Sequence, residues 1–136
     1  MWLFCLGMAE LFRQLAKGMA PSRHGKWVQI FGIAGTVYAA LTVTAMHDLM
    51  VTIALVFFVA AEIALLDWLW RRRQLPQWIA GVANLALLLT AAFVYYRGVA
   101  TVALPTLQKL VFLSSAGWLL WLHKRSAEAL ASSTSA

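Results

Sequence analysis

Charge is scarce in this sequence. Aspartate and glutamate together number 5 in 136 residues, and charged residues of both signs make up only 12% of the chain. That is about half the share found in soluble domains. A water-soluble fold of this length needs a charged surface, and these residues cannot supply one. Cysteine is limited to Cys5, which excludes an internal disulfide and leaves the redox compartment unread. It reads as a plain interfacial thiol, with no activating base nearby in sequence. Also missing are a nucleophile-elbow sequence, a phosphate-binding glycine loop and any zinc-ligand spacing, so no catalytic residue and no metal site is expected. Haem needs facing histidines at a shared depth, and His24, His47 and His123 all sit at the ends of apolar runs. No cofactor is therefore expected.

What fills the chain is apolar. Hydrophobic residues make up 62% of it, against about 45–50% in soluble domains. Lipid can replace water as the outer solvent, and the composition then makes sense. The net charge of +6 comes from short basic clusters between apolar runs. Cytoplasmic loops of membrane proteins carry Lys and Arg in this way. Anionic lipid headgroups, not nucleic acid, are the expected partners of these clusters.

The fold expected is an all-α integral membrane protein: four membrane-spanning helices preceded by an interfacial amphipathic helix. Residues 1–20 carry Glu10, Arg13, Gln14 and Lys17 at helical spacing on one face, and Leu3, Phe4, Leu11, Phe12 and Leu15 on the rest. The apolar part is too short to span, so this helix is expected to lie in the cytoplasmic interface or dock on a partner protein. Spans follow at about 27–46, 49–70 and 77–96, with the fourth beginning at Val99 or Pro105 and ending at Leu122. Each matches the roughly 20 residues that cross about 30 Å of hydrocarbon. Trp27, Trp68, Trp70, Trp78, Trp118 and Trp121 fall near span ends and read as interface anchors. His47 and Asp48 make a short outer turn. Residues 27–122 thus form the four-helix domain, and 123–136 a small, polar cytoplasmic tail without structure beyond a turn or two.

Loop charge sets the orientation. Arg13, Lys17, Arg23, Lys26, Arg71, Arg72, Arg73, Lys124 and Arg125 share one side, and only Arg97 and Lys109 the other. The crowded side is cytoplasmic by the positive-inside rule, with both termini on it. The expected location is a bacterial inner (plasma) membrane. Arg71, Arg72, Arg73, Lys124 and Arg125 are the residues expected to meet lipid headgroups.

Glu62 most needs an explanation. It lies nine residues before the arginine triplet, hence about 14 Å from the cytoplasmic boundary at the helical rise. Carboxylates at that depth are costly and usually face a bundle interior. The same ruler places Thr36, Asn84 and Ser114 or Ser115 at similar depth on the other spans. A polar layer of Glu62, Asn84, Thr36, Ser114 and Ser115 inside the bundle is expected, as a coupling or packing site. Asp67 is expected to pair with an arginine of the triplet. Gly32, Thr36, Ala40 and Thr44 recur every fourth residue, a small-residue stripe suited to close helix packing.

Two functions compete. The first is a non-catalytic accessory or assembly subunit of a larger membrane complex, since almost no mass lies outside the spans. The second is a small homo-oligomeric transporter or channel for protons or cations, using Glu62. The expected partners are the bilayer and either other membrane subunits or further copies of the chain.

Overall fold

The computed structural model describes residues 2–19, 22–43, 45–99 and 101–134. It is all-helical, with five α-helices and no strand among the described residues: α1 Trp2–Gly18, α2 Arg23–Ala40, α3 His47–Arg71, α4 Leu75–Arg97 and α5 Leu104–Thr134. Among those residues, α3 and α4 are the two helices long and apolar enough to cross a membrane.

Local chemistry explains the boundaries. Ser22 caps α2, its hydroxyl accepting from the Gly25 N–H at 3.1 Å. The helix therefore starts at Arg23, a turn earlier than the expected 27. It gives way at Leu41–Val43 to a 3-10 turn, where Thr42 bonds back to the Ala39 carbonyl. His47 and Asp48 are not a free turn as expected. They form the first turn of α3, where the acidic Asp48 suits the helix dipole. Pro76 sits in the first turn of α4, and Gly98 ends it with φ 64°, a left-handed conformation that glycine adopts freely. Of the two starts considered for the fourth span, the helix takes the later, at Leu104, placing Pro105 in its first turn. The tail is corrected as well. α5 continues to Thr134, through an Ala127–Ala131 segment rich in strong helix formers.

The largest correction concerns the N-terminal helix. It does not lie apart from the bundle. α1 packs antiparallel on α2: Phe12 rests on Gly32, and Ala16 and Met19 lie beside Gly25. It also runs along α5, with Phe4 edge-on to Phe112 at 5.5 Å and Gly18 beside Ser126. The physical reason is steric. An added Cβ on Gly32 would fall 2.3 Å from the Phe12 ring, so only glycine lets that ring sit against the α2 backbone. Phe12 also stacks on Phe58, near the middle of α3, with ring centroids 6.2 Å apart.

One buried cluster joins the helices. It includes Met8, Phe12 and Leu15 of α1 with Met19 just after it, Val28 of α2, Ala61, Leu65 and Leu69 of α3, and Trp118, Leu119 and Leu122 of α5. Most of these lie toward the end that carries the basic clusters. Outside the cluster the surface is apolar: Ile30, Val37, Val56, Ile63, Ile79, Leu89, Phe93, Leu113 and Leu120 are all exposed.

α3 ends in a Schellman motif. The Gln74 N–H donates to the Leu69 carbonyl at 3.1 Å, and the Arg73 N–H to that of Trp70 at 3.0 Å. Arg73 occupies the left-handed position with φ 55°, which costs a residue bearing a Cβ about 1–2 kcal/mol. Arg73→Gly should therefore raise the thermal midpoint of the purified protein in detergent, by the equivalent of about 1 kcal/mol. Arg73→Val should lower it.

Candidate functional site

The polar residues of α3, α4 and α5 converge on Asn84. Its amide nitrogen donates to Glu62 Oε1 at 2.8 Å and to Ser115 Oγ at 3.0 Å. Its carbonyl oxygen accepts from Ser114 Oγ at 2.6 Å and from Ser115 Oγ at 3.2 Å. Ser114 also reaches the Val111 carbonyl of its own helix at 3.1 Å. Glu62 and Asn84 are each 6% exposed. The amide thus uses both its donors and its acceptor, as burial demands.

A neighbouring contact sets this register. Gly81 leaves room for the Trp118 indole, whose Nε1–H donates to the Gln77 carbonyl at 3.0 Å. A Cβ on Gly81 would meet that ring at 2.4 Å. With Trp118 seated there, Ser114 lies one turn along α5 and Asn84 one turn along α4. Trp118 is accordingly a buried packing residue and not the interface anchor that its place near a span end suggests.

Thr36 does not join the hydrogen-bonded cluster. It is buried, but its hydroxyl donates to the Gly32 carbonyl of its own helix at 2.5 Å. In the small-residue stripe, Gly32 and Ala40 are buried, and Gly32 receives α1. Thr44 lies outside the described residues.

Both ends of the α3–α4 hairpin carry polar contacts too. At one end Tyr95 donates to Asp48 at 2.5 Å, and the Thr52 and Tyr96 hydroxyls lie 2.7 Å apart. At the other, Asp67 accepts from Arg71 at 2.9 Å and pairs with His24 of α2 at 2.7 Å. Sequence spacing pointed to an arginine partner for Asp67. The histidine and tyrosine contacts depend on tertiary packing and carry no local signal. Arg72 lies over the Trp68 ring at 4.8 Å, and Arg71, Arg72, Arg73, Lys124 and Arg125 are exposed.

Two further features bear on function. A groove of about 420 Å³ opens between α4 and α5, with Asn84 and Ser114 among its lining residues and Trp118 and Trp121 at one end. On α1, Arg13 pairs with Glu10 at 2.5 Å, Gln14 donates to Glu10 at 2.7 Å, and Lys17 is exposed beyond them. These four residues form a polar stripe on the side of α1 turned away from the core.

Chemically, the Asn84 cluster can hold helices in register and can bind or pass a proton. It lacks an activated nucleophile with its base. No cation lies within ion-pair distance of Glu62 among the described residues, and no group of three metal-binding side chains occurs among them. Searches against protein-family models, curated proteins and solved structures find no match to the chain.

Removing one partner should expose the energetic role of the network. Asn84→Leu leaves the Glu62 carboxyl buried without its donor, and should destabilise by about 1–3 kcal/mol. The paired change of Glu62 and Asn84 to Leu should recover part of that loss. Thermal midpoints of the four proteins in detergent give the coupling directly.

Proposed function

We propose that α2–α5 span a membrane as a four-helix bundle with α1 packed along it, and that the protein is a non-catalytic accessory or assembly subunit of a larger membrane complex. The single observation that carries this reading is the polar stripe of α1. A bundle whose surface between its charged ends is largely apolar turns Glu10, Arg13, Gln14 and Lys17 outward on a helix whose Phe12 touches the middle of α3. In lipid, an arginine near the bilayer centre costs about 2.5–3.5 kcal/mol on insertion scales, and Arg13, next to Phe12, is the residue that bears it, whereas Lys17, next to Gly18 and so level with Ser126, lies toward the cytoplasmic end. A neighbouring subunit relieves that cost.

The rest of the reading follows from charge and apolar surface. Arg71, Arg72, Arg73, Lys124 and Arg125 mark the cytoplasmic side of a plasma membrane, where they meet anionic headgroups. The C-terminal end of α5 lies on that side. The first turn of α1 lies beside Phe112 and its last beside Ser126, so α1 runs parallel to α5 toward the cytoplasmic end, and its start lies away from the cytoplasmic side expected for it. Glu62, Asn84, Ser114 and Ser115 then fall at mid-depth as a packing site.

A second reading rests on the groove between α4 and α5. Asn84 lines it and hydrogen-bonds Glu62, so a proton or small cation entering there would reach the carboxyl through one side chain. That arrangement suits a homo-oligomeric transporter.

Purification from the native membrane in mild detergent, followed by mass and composition analysis, separates the two. The subunit reading expects a stoichiometric partner of different sequence, and Glu62→Gln should leave that complex intact. A particle of this chain alone, with proton or cation flux abolished by Glu62→Gln, would replace it with the transporter.

A further inference from the structure

The groove between α4 and α5 occupies only part of their length. Trp121 and Ala80 mark one end of it, and Ser114 and Leu87 the other. On each helix those bounds are seven residues apart, or about 10 Å at the helical rise. Lys124 follows three residues after Trp121, so the groove runs from the basic end of the bundle to the depth of the Asn84 cluster. Small side chains create it. Ala83 and Gly117 are exposed along it, and an added Cβ on Gly117 would meet nothing within 4 Å. Its polar lining asks nothing of an occupant. Both donors of the Asn84 amide and its acceptor are engaged, and the Ser114 hydroxyl donates to Asn84.

Depth indicates what fills such a hollow in a bilayer. Half of the hydrocarbon core is about 15 Å thick. A groove confined to that half has the length of one chain in one leaflet. A partner helix crosses both leaflets and is about 10–12 Å wide. A hollow of about 420 Å³ along a single leaflet is not its shape.

Charge indicates the headgroup. A helix face returns to within about 20° after seven residues. Lys124 therefore stands above Gly117, and Arg125 above Trp118, at the mouth of the groove. Both are exposed, and neither has a carboxylate within ion-pair distance among the described residues. Glu128 lies a further turn along α5. Water and passing headgroups can satisfy these cations without any protein partner. The groove adds a fixed place for the tail directly beneath them. A lipid whose phosphate meets the pair is then held at both ends. Basic pockets between spans on the cytoplasmic side hold anionic headgroups in this way.

Resting on the reading of α2–α5 as membrane spans, we propose that the α4–α5 groove binds one anionic phospholipid of the cytoplasmic leaflet. An acyl chain lies between Ala83 and Gly117, and the phosphate meets Lys124 and Arg125.

The test uses the full-length protein in phosphatidylcholine vesicles. The probes are phosphatidylglycerol and phosphatidylcholine carrying the same photoreactive diazirine at mid-chain, with labelled residues mapped by peptide mass. Phosphatidylglycerol should label residues 80–87 and 114–121 roughly tenfold more heavily than phosphatidylcholine. Unlabelled phosphatidylglycerol should suppress that excess. The paired change Lys124→Gln and Arg125→Gln should abolish the preference. Gly117→Leu should fill the groove and cut labelling there by both probes. All three positions are exposed, and unchanged thermal midpoints show that the variants fold. Equal labelling by the two probes would overturn the proposal. So would a preference that survives the paired change, or groove labelling that Gly117→Leu leaves unchanged. An unlabelled groove beside labelled Leu89, Leu113 and Leu120 would mean that protein covers it, and would also overturn the proposal. Failure of the spanning reading is distinguishable: neither probe would then label those three exposed leucines, and the proposal would fall with it.

Discussion

Phe12 lies where the side chain of residue 32 would otherwise be. Because that residue is glycine, the ring rests on the α2 backbone and reaches Phe58 of α3 as well. This contact decides which way α1 faces. With Met8, Phe12, Leu15 and Met19 turned inward, helical geometry leaves Glu10, Arg13, Gln14 and Lys17 no inward position. An amphipathic sequence that would suit a membrane surface thus becomes part of a helical core. Its polar side becomes the outside of that core. The proposed role as a subunit follows from this one packing choice.

The hydrogen bonds around Asn84 act at a second level. Apolar packing in lipid does little to choose between neighbouring registers, because lipid tails are as apolar as leucine. A buried amide bonded to three side chains on two other helices does choose. It ties α3 to α4 through Glu62, and α4 to α5 through Ser114 and Ser115. The tyrosine contacts at the far end of the hairpin lock the same register between α3 and α4. A network of this kind adds specificity more surely than it adds stability.

The Glu62–Asn84 contact was legible because both residues are 11 positions from Arg73, and a short turn makes equal separations level. Ser114 and Ser115 followed from the same depth argument. Thr36 shared their depth but not their direction: depth comes from counting residues, whereas direction depends on how α2 rotates against its neighbours. That rotation is set by Phe12 and Phe58 lying on Gly32 and Gly35, a contact between segments with no common sequence signal. The placement of α1 was lost for the same reason. Its hydrophobic pattern announces an apolar face and says nothing about whether lipid or another helix covers it. The clue lies in Gly25 and Gly32 of α2, which leave room for Met19 and Phe12. Trp118 departs from the usual role of a tryptophan near a span end, which is to mark the interface, because Gly81 opens a slot for it.

The position of α1 along the bundle is the claim on which the functional reading stands. It is tested most directly by cysteine cross-linking in native membranes, with Cys5→Ser to remove the natural thiol and cysteines placed at positions 4 and 112. The Phe4 and Phe112 rings lie 5.5 Å apart, so a short bifunctional thiol reagent, which spans the gap left by two shortened side chains, should join the two positions within a single chain. A pair at positions 4 and 126 should remain open, because Ser126 lies beside Gly18 at the other end of α1. Absence of the first cross-link, with both cysteines still reactive to a membrane-permeant thiol reagent, would contradict the account. It would return α1 to the membrane surface.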